Sequence, residues 1–250
     1  MKKNICRKLL AIVLTVAALA SHAQQRPFYV DRGGRRVEAE NITANEQGDL
    51  RVELGDGAIS TIRRNDYRFA FVPKPDRVAA LEELFNRGDY GRFLDNVQPV
   101  FNQYRYLGWG GRLYYWKGEA ELSREQPEAA LSSFSTAESF AISEEERESI
   151  KMGKTKALLE LRRDQEASEI LAELKTADSP RIAAFSFAAK GRMLARQQRA
   201  DEAILEFLKA VLLFEPQGEL REIREDAKQR LLALLEERGD PAYDRIRQLD

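Results

Sequence analysis

The sequence predicts a mainly α-helical protein, a solenoid of stacked helical hairpins, preceded by a small N-terminal unit of β-strands. Four stretches line up when shifted by 37, 37 and 36 residues, on Phe93, Ala130, Ala167 and Ala203. Alternating, strand-like segments are confined to residues 27–73, and apolar residues at helical spacing begin at Asp76. Self-similarity at a fixed period of roughly 20–50 residues marks units that bury a core only by stacking on one another. Such stacks bind partners more often than they catalyse reactions.

The chain opens with Lys2, Lys3, Arg7 and Lys8, then the apolar run from Leu9 to Ala20, then Ser21-His22-Ala23. A basic start, a short apolar centre and small residues before a cut read as a secretory signal peptide over 1–23, cleaved after Ala23. The run is 12 residues long, short of the roughly 20 that span a bilayer. Cys6 is not placed at the cut, which disfavours lipidation. Cleavage removes the only cysteine and the only histidine, Cys6 and His22, and takes the net charge from −1 to −5. A mature chain without either residue type has no disulfide, no thiolate–imidazole metal site and no Ser–His or Cys–His nucleophile. No catalytic residue, cofactor site or metal site is assigned. The acidic, mixed-sign balance argues against a nucleic-acid binder.

Residues 24–75 form the expected β unit. Leu50, Val52 and Leu54 alternate with Arg51 and Glu53, the period of a half-buried strand. Gly55-Asp56-Gly57 then links them to Ala58–Ile62, which is a hairpin signal. Phe28-Tyr29-Val30 and Arg36–Ala39 flank Asp31-Arg32-Gly33-Gly34 and suggest a second hairpin. Arg68–Val72 is the fifth expected strand. Asn41-Ile42-Thr43 matches the N-glycosylation pattern.

Pro73-Lys74-Pro75 ends the strands, and 76–250 is the expected helical domain. Ser143 with Glu146 spells a capping box. Ser179-Pro180 and Asp240-Pro241 set a capping side chain before a proline at the first helical position, and Pro127 opens a helix after Gln126. Pro99 falls inside an expected helix and should kink it.

The small and bulky residues at fixed offsets carry a family resemblance. Residues 108–141 hold Tyr114, Gly118, Ala130, Phe134 and Ala137, and residues 184–217 hold Phe187, Gly191, Leu194, Ala203, Phe207 and Ala210, with Pro216 near the end. Both resemble tetratricopeptide repeats of an exported bacterial member of that family. Residues 148–178 keep Leu158, Ala167, Leu171 and Leu174, with Thr155 at the first small position. Residues 74–107 keep Tyr90, Val97 and Val100, but Leu81 and Phe93 replace both small residues. Residues 219–237 read as a terminal capping helix.

The resemblance implies a groove lined by the first helix of each hairpin, which takes a peptide or partner surface. Its groove positions fall on Arg112, Tyr115 and Glu119, then Ser149, Met152 and Lys156, then Ala188, Arg192 and Arg196. Lys156, Arg192 and Arg196 would form a basic stripe that accepts an acidic side chain or a C-terminal carboxylate. The Asn- and Lys-containing carboxylate clamp of chaperone-binding members is not matched.

The aromatic cluster Tyr104, Tyr106, Trp109, Tyr114, Tyr115 and Trp116 would either pack a repeat junction or offer a stacking platform. The expectation is packing, with Tyr115 facing the groove. Carboxylate pairs such as Glu82-Glu83 and Glu144-Glu145-Glu146 are expected on exposed faces and in first turns, where acids favour the helix dipole.

Together these features imply a non-catalytic, periplasmic or secreted scaffold or adaptor that binds a protein or peptide partner. No nucleic acid and no transmembrane segment after cleavage are expected, and envelope association is compatible with the reading. One alternative is a cell-wall or carbohydrate-associated protein or enzyme subunit that uses the β unit or the aromatic cluster. Another is an envelope component that self-assembles through open strand edges.

Overall fold

The structure, a computed structural model, describes residues 26–174 and 179–249. The signal peptide expected over 1–23, with its cut after Ala23, lies outside the described residues. The chain is mainly helical, with two small antiparallel sheets near the N-terminus. It divides into two compact units. One runs to Asp76 and also includes Tyr106–Gly108; the other holds Arg77–Arg105 and the chain from Trp109 onward.

In the first unit, β1 (Phe28–Asp31) pairs with β2 (Arg36–Glu38) and, on its other side, with β6 (Tyr67–Phe71). The second sheet has β4 (Leu50–Glu53) between β3 (Asn41–Ala44) and β5 (Ile59–Ile62). Both hairpins read from the sequence are present. In the β4–β5 hairpin, Leu50 faces Ile62 and Val52 faces Ser60, so the buried alternation of Leu50 and Val52 sets the register. The Asp56 carboxylate accepts from the Ala58 N–H at 2.9 Å, and Gly57 takes a positive φ of 79° in that turn. The glycosylation-like triplet lies in β3, where Ile42 is buried against the core.

Tyr106–Gly108 joins this unit because the helical chain breaks there. Leu107 and Gly108 leave helical dihedrals, and Leu107 is buried and accepts from the Val72 N–H at 3.2 Å. Gly108 has φ 86°, and an added Cβ would lie 2.9 Å from the Phe71 ring. Only glycine fits that turn without strain.

The second unit consists of α1 (Asp76–Asn86), α2 (Tyr90–Tyr104), α3 (Gly110–Ser123), α4 (Pro127–Phe140), α5 (Glu144–Glu160), α6 (Asp164–Leu174), α7 (Pro180–Arg196), α8 (Ala200–Leu212), α9 (Glu219–Glu237) and α10 (Ala242–Arg247). From α3 to α6, and again from α7 to α9, each helix packs on the next; α3 also packs on α5, α5 on α7 and α7 on α9.

The sequence period has a backbone counterpart. Gly88, Glu125, Arg162 and Gln198 all adopt the left-handed conformation, with φ of 73°, 59°, 58° and 61°. Each sits at the end of a helix. Its N–H and the next one bond back to carbonyls three and five residues earlier, as Gln198 does to Ala195 and Arg199 to Leu194. This is the Schellman closure, which satisfies otherwise orphaned helix carbonyls. The alignment anchors Phe93, Ala130, Ala167 and Ala203 follow at the first turn of the next helix, all fully buried.

The helix starts differ in detail from expectation. Ser143 accepts from the Glu146 N–H at 3.2 Å, while the Glu146 carboxylate reaches the Ile142 N–H at 3.0 Å. Ser179 makes no side-chain cap bond ahead of Pro180. Asp240 accepts from the Ala242 N–H at 2.8 Å, so α10 starts one residue past Pro241. Pro99 lies inside α2, which continues past it to Tyr104; helical dihedrals are lost further on, at Leu107 and Gly108.

Candidate partner-binding groove

One depression of the helical unit encloses about 740 Å³. It is lined by α3, α5, α7 and α9, the helices that also pack on one another in alternation. Its apolar floor comes from Leu122, Leu159, Phe185, Ala188, Ala189 and Ile223. Ala188 and Ala189 are small residues on α7, so the floor stays low where a larger side chain would fill it. A volume of this size lies within the usual range for ligand sites, roughly 300–1,000 Å³.

The residues expected to line one groove are distributed over three depressions. Glu119, Lys156, Ala188 and Arg192 line the large one. Arg192 also borders an adjoining depression of about 460 Å³ together with Arg196. Arg112, Tyr115 and Ser149 line a third, of about 260 Å³, between α3 and α5. Met152 is buried in the core with Leu158, Leu171 and Phe185. A flexible thioether packs readily into such a core, and its position on α5 turns it inward.

The expected basic stripe is internally matched. The Lys156 ammonium donates to both Glu119 carboxylate oxygens at 3.2 and 3.0 Å. Arg192 donates to Glu160 at 2.6 Å. Arg196 donates to the Leu159 carbonyl and to Asp164. Each cation therefore ties its helix to the preceding hairpin. Sequence inspection found the cations but not their partners, because a partner 32 or 37 residues away is set by stacking.

The structure shows a second series of ties that the sequence reading missed. Lys117 bonds Glu121 at 2.6 Å and Ser133 at 2.8 Å, Lys154 bonds Glu138 at 2.9 Å, and Lys190 bonds Glu206 at 2.9 Å. The three lysines recur at intervals of 37 and 36, the repeat period itself, so a register comparison held the signal. Glu121 and Glu206 are buried, outside the exposed carboxylate pairs the sequence picked out. Burial works to raise the Glu206 carboxyl, but hydrogen bonds from Lys190 and Lys209 outweigh it and hold the group below its ordinary value.

The aromatic cluster is largely taken up in packing. Trp109 and Trp116 are buried, and Trp116 stacks on Phe85 with centroids 5.9 Å apart. Tyr114 lies 4.0 Å from Phe101, and the half-buried Tyr115 lies 5.9 Å from Phe134. Among the described residues no helix is long and apolar enough to cross a membrane. Comparison with known proteins returned no match: no family model fits the chain, and no curated protein or solved structure is significantly similar to it.

Proposed function

We propose that this chain is an exported, non-catalytic scaffold or adaptor whose helical unit is a tetratricopeptide-like solenoid. In this reading it holds a segment of a partner protein in the groove along α3, α5, α7 and α9. The observation that carries it is the agreement between the sequence period and the recurring left-handed turns at Gly88, Glu125, Arg162 and Gln198. Identical turns at that spacing make each hairpin enter the stack in the same way, and this leaves the first helices side by side on one face. The groove with its apolar floor lies on that face. The basic leader-like start and the loss of Cys6 and His22 on cleavage support export and a binding role.

The test is photo-crosslinking from a residue placed at Ser123, on the groove rim, in native cell envelopes, followed by mass spectrometry. A single recurrent protein partner is expected, absent when the crosslinker sits at Arg221 outside the groove. Identical products from both positions, together with hydrolase activity in the pure protein, would overturn the reading.

A further inference from the structure

The charges around the groove select a different partner from the one its cations suggest, and this rests on the groove being a protein-binding face. Five acids line the large depression: Glu119, Glu125, Glu160, Glu222 and Asp226. Three of them are already held, by Lys156 at 3.0 Å, by Arg192 at 2.6 Å and by Arg230 at 2.9 Å. Among the described residues, no other cation lines it. Glu125 and Glu222 remain, both exposed and without an ion-pair partner among the described residues. The adjoining depression adds Arg162 and Glu237, equally unmatched, so the surplus stays at two negative charges. Arg196, which also borders it, is spent on Asp164.

An incoming carboxylate would have to displace Glu119 or Glu160 from its cation and would then meet this surplus. An incoming ammonium or guanidinium finds Glu125 and Glu222 unpaired and solvated, with no existing bond to break. Their position beside an apolar floor suits a side chain that brings a greasy stem and a charged end.

We infer that the groove binds an extended cationic segment of a partner protein. An apolar residue of that segment sits on Leu122, Phe185 and Ile223, and lysine or arginine side chains reach Glu125 and Glu222. The opposite polarity, an acidic or C-terminal ligand on the basic stripe, is disfavoured because those cations are already satisfied.

The experiment uses two short labelled peptides with the same apolar residues, one bearing lysines and the other glutamates. Binding is followed by fluorescence anisotropy and mapped by amide hydrogen exchange on the protein. The lysine peptide is expected to bind more tightly, weaken as salt is raised, and protect α7 and α9. Glu125→Gln and Glu222→Gln, both at exposed positions, should each weaken it by about two- to fivefold. Equal or tighter binding of the glutamate peptide in the groove would overturn the charge assignment and leave the groove reading standing. An unchanged affinity for the lysine peptide in the double variant would do the same. Failure of both peptides to protect the groove would remove both.

Discussion

The ring of Phe134 lies against Gly118, so close that a Cβ on the glycine would stand 2.6 Å from a ring carbon. Gly153, on the next hairpin, meets the same ring at 2.5 Å, so Phe134 fills a slot between two glycines. The relationship recurs between Gly191 and Phe207 at 2.7 Å. At the corresponding positions of the other two copies the pairs are Thr155 with Leu171 and Leu81 with Val97. As the first residue grows, its counterpart shrinks, which keeps the combined volume roughly level in a close-packed interior.

Gly118→Ala and Gly191→Ala should therefore destabilise by about 1–3 kcal/mol, the usual cost of overpacking. Phe134→Leu should recover part of the loss in the Gly118→Ala background. A double-mutant cycle by urea unfolding measures this, and strict additivity of the two changes would show that the positions do not share a slot.

The left-handed turns give a second test. Gly88 meets the requirement without strain, but Glu125, Arg162 and Gln198 carry a Cβ at φ near 60°. Glycine at such a helix end removes the steric cost and adds unfolded-state freedom, and the first effect is the larger. Arg162→Gly and Gln198→Gly are each expected to raise stability by roughly 0.5 kcal/mol, and Gly88→Ala to lower it by about 1 kcal/mol. Thermal unfolding of the three variants checks the order, and a drop in melting temperature for both glycine variants would contradict it.

These turns also show what was legible in the sequence. The polar breaks and the buried anchors were visible because each repeat spells them locally. The hairpins of the β unit were visible for the same reason, through alternation and Gly-Asp-Gly chemistry. Strand β3 escaped because it has only four residues and one fully buried position, Ile42, too short an alternation to stand out. The break at Leu107 and Gly108 escaped because it is fixed by Val72 and Phe71, far off in the chain. The groove's charge balance escaped for the same reason: Glu119 and Glu160 meet Lys156 and Arg192 only once hairpins stack. Periodicity reports which face of a helix is apolar, but a long-range ion pair has no period of its own.

Arg196 illustrates how a groove-position cation can serve the fold. Its guanidinium donates to the Leu159 carbonyl in the last turn of α5 and to Asp164 at the start of α6. It thus adds a second donor to a helix-end carbonyl that already accepts from the Arg162 N–H, and ties the turn between two helices to a third. Arg196→Ala should cost about 1–3 kcal/mol, since it removes charge-assisted bonds that are partly sheltered. Arg196→Lys should recover less than half, because one ammonium cannot reproduce the forked geometry. Denaturant titration of the two variants decides it; wild-type stability in Arg196→Ala would show that the contacts are incidental.

The β unit should respond to alkali through Tyr67. Its ring is buried, and its hydroxyl donates to the Gly48 carbonyl at 2.6 Å. Burial pushes its pKa from 10.0 up to about 12, and the neighbouring Arg64 only partly opposes the shift. The folded state then holds this proton more tightly than the unfolded chain does. Its contribution to stability is complete below pH 10.0 and is lost as the pH rises towards about 12. A shift of that size corresponds to about 2–3 kcal/mol at most. Tyr67→Phe should cost about 1 kcal/mol at neutral pH, from the lost hydrogen bond, and should flatten the decline at high pH. Urea midpoints measured across this window for both proteins give the comparison. If wild type and Tyr67→Phe lose stability in parallel, another group sets the alkaline limit.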